Sequence, residues 1–164
     1  MSFIIDGTNG ATFPSGTNAQ AAPAKILQVV QGTYSTGVTT ASSTYVTTGL
    51  TASITPLFST SKILILVNQA GCLKYTSNTS IAIALYRAST AITYFGGRAG
   101  QTDGTGTSYG GTLSTVYLDS PATTSSTTYT TYFASNGNSG TVLVQDNNGI
   151  STPVSTITLM EIAQ

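Results

Sequence analysis

From Ile26 onward, short apolar runs alternate with clusters of Gly, Asn, Ser and Pro, and the runs themselves are built from Thr, Val, Ile and Tyr. These residue types fit a pleated, half-buried surface, and no long stretch of Ala, Leu, Glu and Lys is present to favour a helix. The pattern predicts strands near residues 26–34, 44–55, 62–70, 79–87, 91–96, 112–119, 127–135, 141–145 and 154–162. Asn136-Gly137 and Asn148-Gly149 supply the positive-φ positions of tight turns, while Pro56, Pro121 and Pro153 stand where a strand should stop. Roughly eight strands at this spacing define an all-β expectation, an antiparallel two-sheet β-sandwich of jelly-roll type. The longest interruption, "RAGQTDGTGTSYGG" at residues 98–111, is expected to be an exposed loop.

Several strands are apolar on both faces. In "KILILVNQ" one face carries Ile63, Ile65 and Val67 and the other carries Leu64 and Leu66; in "TITLMEIA" Ile157 and Leu159 oppose Met160 and Ile162. The outer face of an antiparallel sandwich normally meets water and turns polar, so a second apolar face implies another layer, either a long loop or a neighbouring subunit. A subunit is the favoured reading. "SIAIALY" agrees, with Ile81, Ile83 and Leu85 facing the core and the small Ala82 and Ala84 on the side where another surface could approach.

The leading segment differs from the rest. "FIIDGTNGATFPSGTNAQAAPAK" has an apolar burst, two Gly-rich turns and small residues, with no period that would bury it in a core. The chain therefore divides into an extended N-terminal arm, residues 1–25, and a sandwich head, residues 26–164. An arm that cannot bury Phe3, Ile4, Ile5 and Phe13 in itself can bury them in a partner. The alternative is that Phe3 to Asp6 folds back as an edge strand on its own head or on a neighbour's.

Composition narrows the chemistry. Only 6% of the 164 residues are charged, against a usual quarter or so, and five basic residues balance five acidic ones. Solubility rests on Ser and Thr hydroxyls, and with no cluster of Lys or Arg there is no footprint for nucleic acid. Apolar runs such as Ile63 to Val67 are too short for a membrane helix, and no basic region precedes an apolar stretch at the N-terminus, so neither anchor nor export signal is expected. The chain has no His, which removes the commonest general base and metal ligand. The carboxylates Asp6, Asp103, Asp119, Asp146 and Glu161 are scattered over turns and a terminal strand, so a two-carboxylate glycosidase is not expected. The Gly-rich loops lack the endings of phosphate-binding motifs, "DNNG" at 146–149 lacks the later acidic ligand of a calcium loop, and no cofactor or metal is expected. The lone Cys72 is expected as a buried thiol. Tyr94, Phe95, Tyr109 and Tyr117 lie close to the Gly-rich loop, where Tyr109 with Arg98 and Asp103 forms the candidate receptor contact; Tyr45, Tyr129 and Tyr132 fit strand packing.

Two sets of residues carry a resemblance. "IIDGTNGATFPSGTNAQAAPAK" is similar to the Gly-Thr-x-Gln-x-Ala-Ala leaders of many tailed-bacteriophage virion proteins. "SKILILVNQ", "ALYRAS", "LDSPATTSSTTYTTYFAS" and "STITLMEIA" resemble recurring blocks of the β-rich head domains of phage fibres, of the tumour-necrosis-factor-like jelly-roll kind. The resemblance implies a virion surface protein without catalytic function, a homotrimer through its head, and partners among the major capsid protein or tail proteins, with a host-surface receptor as a further partner. The passage from arm to head without a shaft of heptads or β-repeats favours a capsid decoration protein over a short tail fibre.

Overall fold

The computed structural model describes residues 25–164 except 105, 138 and 150, together with the backbone of residues 4–6 and 10–12. In the leading segment β1 (Ile4–Asp6) and β2 (Gly10–Thr12) pair antiparallel with each other. The head contains β3 (Ile26–Tyr34), β4 (Val38–Thr40), β5 (Val46–Ile54), β6 (Lys62–Lys74), β7 (Ser80–Arg87), β8 (Thr90–Ala99), β9 (Ser108–Asp119), β10 (Thr127–Asn136), β11 (Val142–Val144) and β12 (Ser155–Ile162). All pairings are antiparallel. One sheet runs β5–β10–β7–β8; the other runs β3–β12–β6–β11–β4, with β9 along the second edge of β6. Together they form an all-β sandwich.

The head strands expected from the pattern are present, with three differences of physical interest. β6 continues past Gly71 because that glycine forms a bulge at φ +60°, where an added Cβ would collide with the Asp146 backbone and the Pro153 ring. The interruption at 98–111 shrinks to residues 100–107: Gly96 and Gly111, both at positive φ, are bulges that let β8 and β9 carry on through Gly-rich sequence. β4 escapes the pattern because three residues are too few to show a period, and only pairing with β11 makes it a strand.

Between the sheets lie two apolar clusters. One gathers Leu50, Ile54, Ile63, Ile65, Tyr129 and Leu159; the other gathers Cys72, Ile81, Ile83, Phe133, Val142 and Val144. A chain so rich in hydroxyls and amides must bury some of them, and each then needs a partner. They collect in a belt between the clusters. Thr48 Oγ1 meets Thr131 Oγ1 at 2.5 Å, Thr131 donates to Gln69 Oε1 at 2.9 Å, and Gln69 Nε2 and Gln145 Nε2 donate to Ser155 Oγ at 3.0 and 3.1 Å. Cys72 is buried, and loss of water pushes its thiol up to about 12 against a hydrogen bond from the Leu113 backbone. It stays protonated and unreactive.

Glu161 closes one end of the sandwich. Its buried carboxylate accepts hydrogen bonds from Gln28 Nε2 at 2.6 Å and from the Leu57 and Phe58 amides at 2.8 and 3.3 Å, joining β12, β3 and the turn after β5. Burial alone would raise its pKa, but these donors outweigh it and hold the group below its ordinary 4.5. A carboxyl lowered in the fold stabilises it above its unfolded value, and that contribution fades as pH falls below 4.5 through the folded value. Glu161→Gln is expected to be less stable by about 1–2 kcal/mol at pH 7. In urea titrations across pH 7 to 3, the gap from the native chain should narrow below pH 4.5; a gap independent of pH would exclude a charged Glu161 in the fold.

Candidate functional site

The outer face of the β3–β12–β6–β9 sheet departs from the polar pattern of a water-facing surface. Because side chains alternate, burying Ile63, Ile65 and Val67 inside turns Leu64 and Leu66 outward, and the neighbours follow in register. Val29 stands opposite Met160, Met160 opposite Leu64, and Leu64 opposite Leu118, an apolar row across four strands. The adjacent row runs Gln31, Thr158, Leu66, Val116; beyond the other side lie Ile26, Ile162 and Lys62. Val116 is 66% exposed, Val29 56% and Leu118 49%, so no loop among the described residues covers them. Of the charged residues on these strands, Lys74, Asp119 and Glu161 are buried, and Lys62 lies at the rim. Contiguous apolar patches beyond a few hundred Å² are rare on a monomer's surface and mark interaction sites.

Leu64, Leu66, Met160 and Ile162, expected from sequence as an oligomer surface, thus share one face. Val29, Val116 and Leu118 join them, a signal present in the alternation of "VYLD" but visible only once β9 is placed beside β6. Ala82 and Ala84 do not share this face. They lie on the opposite sheet, where Ala84 sits between Tyr94 and Tyr132 in register and is fully buried. The chain's own tyrosines flank Ala84 and Ala82 pairs with Ala134, both alanines being buried within the chain rather than open to a neighbour. Tyr45 and Tyr132 likewise pack on this outer face, whereas Tyr129 is in the core.

The register also separates two poles. Ile26 pairs with Ile162, Ile162 with Lys62 and Ile63 with Asp119, so residue 25, the chain's last residues, and turns 55–61 and 120–126 gather at one pole. Exposed Leu57 and Phe58 lie there too. Loops 75–79, 100–107 and 145–154 form the other pole. Arg98, Asp103 and Tyr109, all exposed, belong to this second pole, and Tyr109 pairs opposite Leu73. Loop 100–107 is anchored rather than loose, since buried Lys74 Nζ donates to Thr102 Oγ1 at 2.6 Å and to its carbonyl at 3.3 Å. Of the residues expected in the arm, Phe3 and Phe13 lie outside the described residues, and Ile4 and Ile5 are described only as the backbone of β1.

Two of the head's carboxylates, Asp119 and Glu161, serve structure. Asp119 accepts from Arg87 Nη1 at 2.9 and 2.8 Å and from the Tyr129 hydroxyl at 2.7 Å, tying β9, β7 and β10 together. Burial, then the hydrogen bond to Asp119 and its charge, push the Tyr129 phenol up. Beside this clamp a surface cavity of about 400 Å³ is lined by Arg87, Thr90, Pro121, Thr123, Thr127 and Thr128, none of them a general base. A second cavity carries one carboxylate, Asp146. Among the described residues no three His, Cys, Asp or Glu side chains cluster as metal ligands, and no helix is long and apolar enough to cross a membrane. Asn147 and Asn148 of the "DNNG" turn hydrogen-bond Ser151 and Tyr75.

No known protein-family model matches the chain, and no curated protein matches it.

The clamp makes an asymmetric prediction. Arg87→Ala leaves a buried carboxylate without its cation and is expected to cost about 3 kcal/mol. Asp119→Ala leaves an arginine whose side chain is 34% exposed and can be hydrated, with only the Tyr129 hydroxyl orphaned, and is expected to cost about 2 kcal/mol. Urea unfolding of both variants measures the order; the reverse order would show that Asp119 is not paying a burial penalty.

Proposed function

We propose that this chain is a non-enzymatic structural protein of a bacteriophage virion, a homotrimer that docks onto the particle through its N-terminal arm. The carrying observation is the uncharged apolar row from Val29 to Leu118, which lacks a covering layer within the described chain. Three copies packed about an axis along this face would bury it three times over, leaving the tyrosine-bearing sheet outermost. The strand order supports the jelly-roll reading: numbering the eight long strands consecutively, the sheets run 1-8-3-6 and 2-7-4-5. The phage reading rests on the resembling blocks, and the fold supplies a reason for two of them. "ALYR" contributes Arg87, and "LDSPATTSSTTY" contributes Asp119 and Tyr129, the three members of one clamp.

The preferred placement is as a capsid decoration protein. Residue 25, from which the arm leads, lies with Ile26, Leu57 and Phe58 at one pole, which suits a cap seated on a shell. The second reading, a short tail fibre or tail-tip receptor-binding protein, is favoured by Arg98, Asp103 and Tyr109 at the pole away from the arm. Densitometry against the major capsid protein separates them: hundreds of copies per particle are expected for decoration, a few dozen for a fibre.

Sedimentation velocity tests the assembly. The native chain should sediment as a trimer, and Leu64→Glu, placing a charge in the middle of the row, should yield a folded monomer with an unchanged circular dichroism spectrum. A native monomer would refute the trimer. Deleting residues 1–24 should leave the trimer intact yet unable to join arm-dependent particles in a reconstitution assay; normal incorporation would refute the docking arm.

A further inference from the structure

The outer face of the β5–β10–β7–β8 sheet carries a second, chemically different surface. Four tyrosines gather over Ala84: the ring centroids of Tyr86 and Tyr132 are 4.3 Å apart, those of Tyr45 and Tyr94 5.8 Å, and those of Tyr45 and Tyr86 6.5 Å. Tyr94 crowns the group at 65% exposure. The rows beyond are hydroxylic, Thr51 Oγ1 lying 2.9 Å from Thr130 Oγ1 and Ser53 Oγ 2.7 Å from Thr128 Oγ1. None of the four phenol hydroxyls hydrogen-bonds another described residue. Burial first, then crowding by neighbouring phenols, pushes Tyr45 and Tyr86 above the ordinary 10.0, so these hydroxyls remain both donors and acceptors at neutral pH.

We propose that this tyrosine platform is a binding site for a neutral saccharide, stacked on Tyr94 with its hydroxyls on the phenols and the Thr/Ser rows. Charge selects the ligand class. The only charged residues on these four strands are Arg87, turned to Asp119, and Arg98, beyond the bulge at the end of β8. An anionic polymer would find little to pair with. Area argues against a protein partner: one strongly exposed ring flanked by three half-buried ones is far short of the roughly 800 Å² per side of a stable interface. It does match a pyranose ring, whose flat C–H face suits an aromatic surface and whose edges need hydroxyl partners. The site itself does not depend on the trimer, but its trivalence rests on that reading, since three outward platforms would bind a glycan-coated surface by avidity.

The full chain is titrated with neutral hexasaccharides of glucose, mannose and galactose, with polygalacturonate as the charged comparison, by saturation-transfer NMR. At least one neutral hexasaccharide should bind, and Tyr94→Ala should weaken it about tenfold. Tyr94→Phe should weaken it less, and Tyr109→Ala should leave it unchanged. Tyr94 is exposed, so Tyr94→Phe should keep the native melting temperature, and Tyr94→Ala, which loses the edge contact with Tyr45, should lower it by only a few degrees. Absence of binding to all three neutral probes, equal binding by Tyr94→Ala, or reversible self-association lost in Tyr94→Ala would overturn the proposal. Leu64→Glu should keep the solution affinity and lose retention on a glycan-coated surface. Equal retention would overturn the trivalence alone.

Discussion

Strand β6 sets the constraint on which the architecture depends. A strand's side chains alternate with a period of two, so a run such as Ile63 to Val67 cannot hide all of its apolar atoms against one layer. Its inward members are central to the core, flanked by β12 on one edge and β9 on the other. Its outward members, with Val29, Met160 and Leu118, are left without a covering layer among the described residues. A one-residue slip of β6 would exchange the two faces without relieving either, so the surplus is a property of the sequence rather than of one register.

The remainder of the fold is organised by the scarcity of charge. Hydroxyl and amide groups do what ion pairs and charged surfaces do elsewhere. They form the belt between the two apolar clusters and the Thr/Ser rows linking β5 to β10. Where charge is buried it is fully engaged: Glu161 with an amide side chain and two backbone N–H groups, Asp119 with a guanidinium and a phenol. Both carboxylates fasten strands at the pole where residue 25 lies.

Much of this was legible in the sequence because β-structure with one buried face writes its period directly into the chain. The strands from Ile26 onward, the turns at Asn136-Gly137 and Asn148-Gly149, the buried Cys72 and the doubly apolar character of β6 and β12 all follow from pattern. What escaped depends on partners distant in sequence. Gly71 and Gly111 read as strand-ending residues because a glycine in a bulge and one in a turn look alike without the opposing strand. Ala84 read as an open surface because its neighbours, Tyr94 and Tyr132, come from two other strands, and Ala82 because its neighbour Ala134 does too. The Arg87–Asp119–Tyr129 clamp spans 42 positions and has no local signature. The tyrosine platform was hidden for the same reason: strand propensity alone accounts for Tyr45, Tyr86, Tyr94 and Tyr132, and only the register brings them together.

Among the described residues, Arg87–Asp119 is the one ion pair, and it is shielded from bulk solvent on the carboxylate side. Dissolved ions act on a protein mainly by screening exposed charges over a Debye length of roughly 10 Å at 0.1 M. With so few charges to screen, cohesion here is nearly indifferent to ionic strength, while the apolar contacts tighten slightly as excluded salts accumulate. Its folded stability should therefore differ little between fresh water and moderate salt.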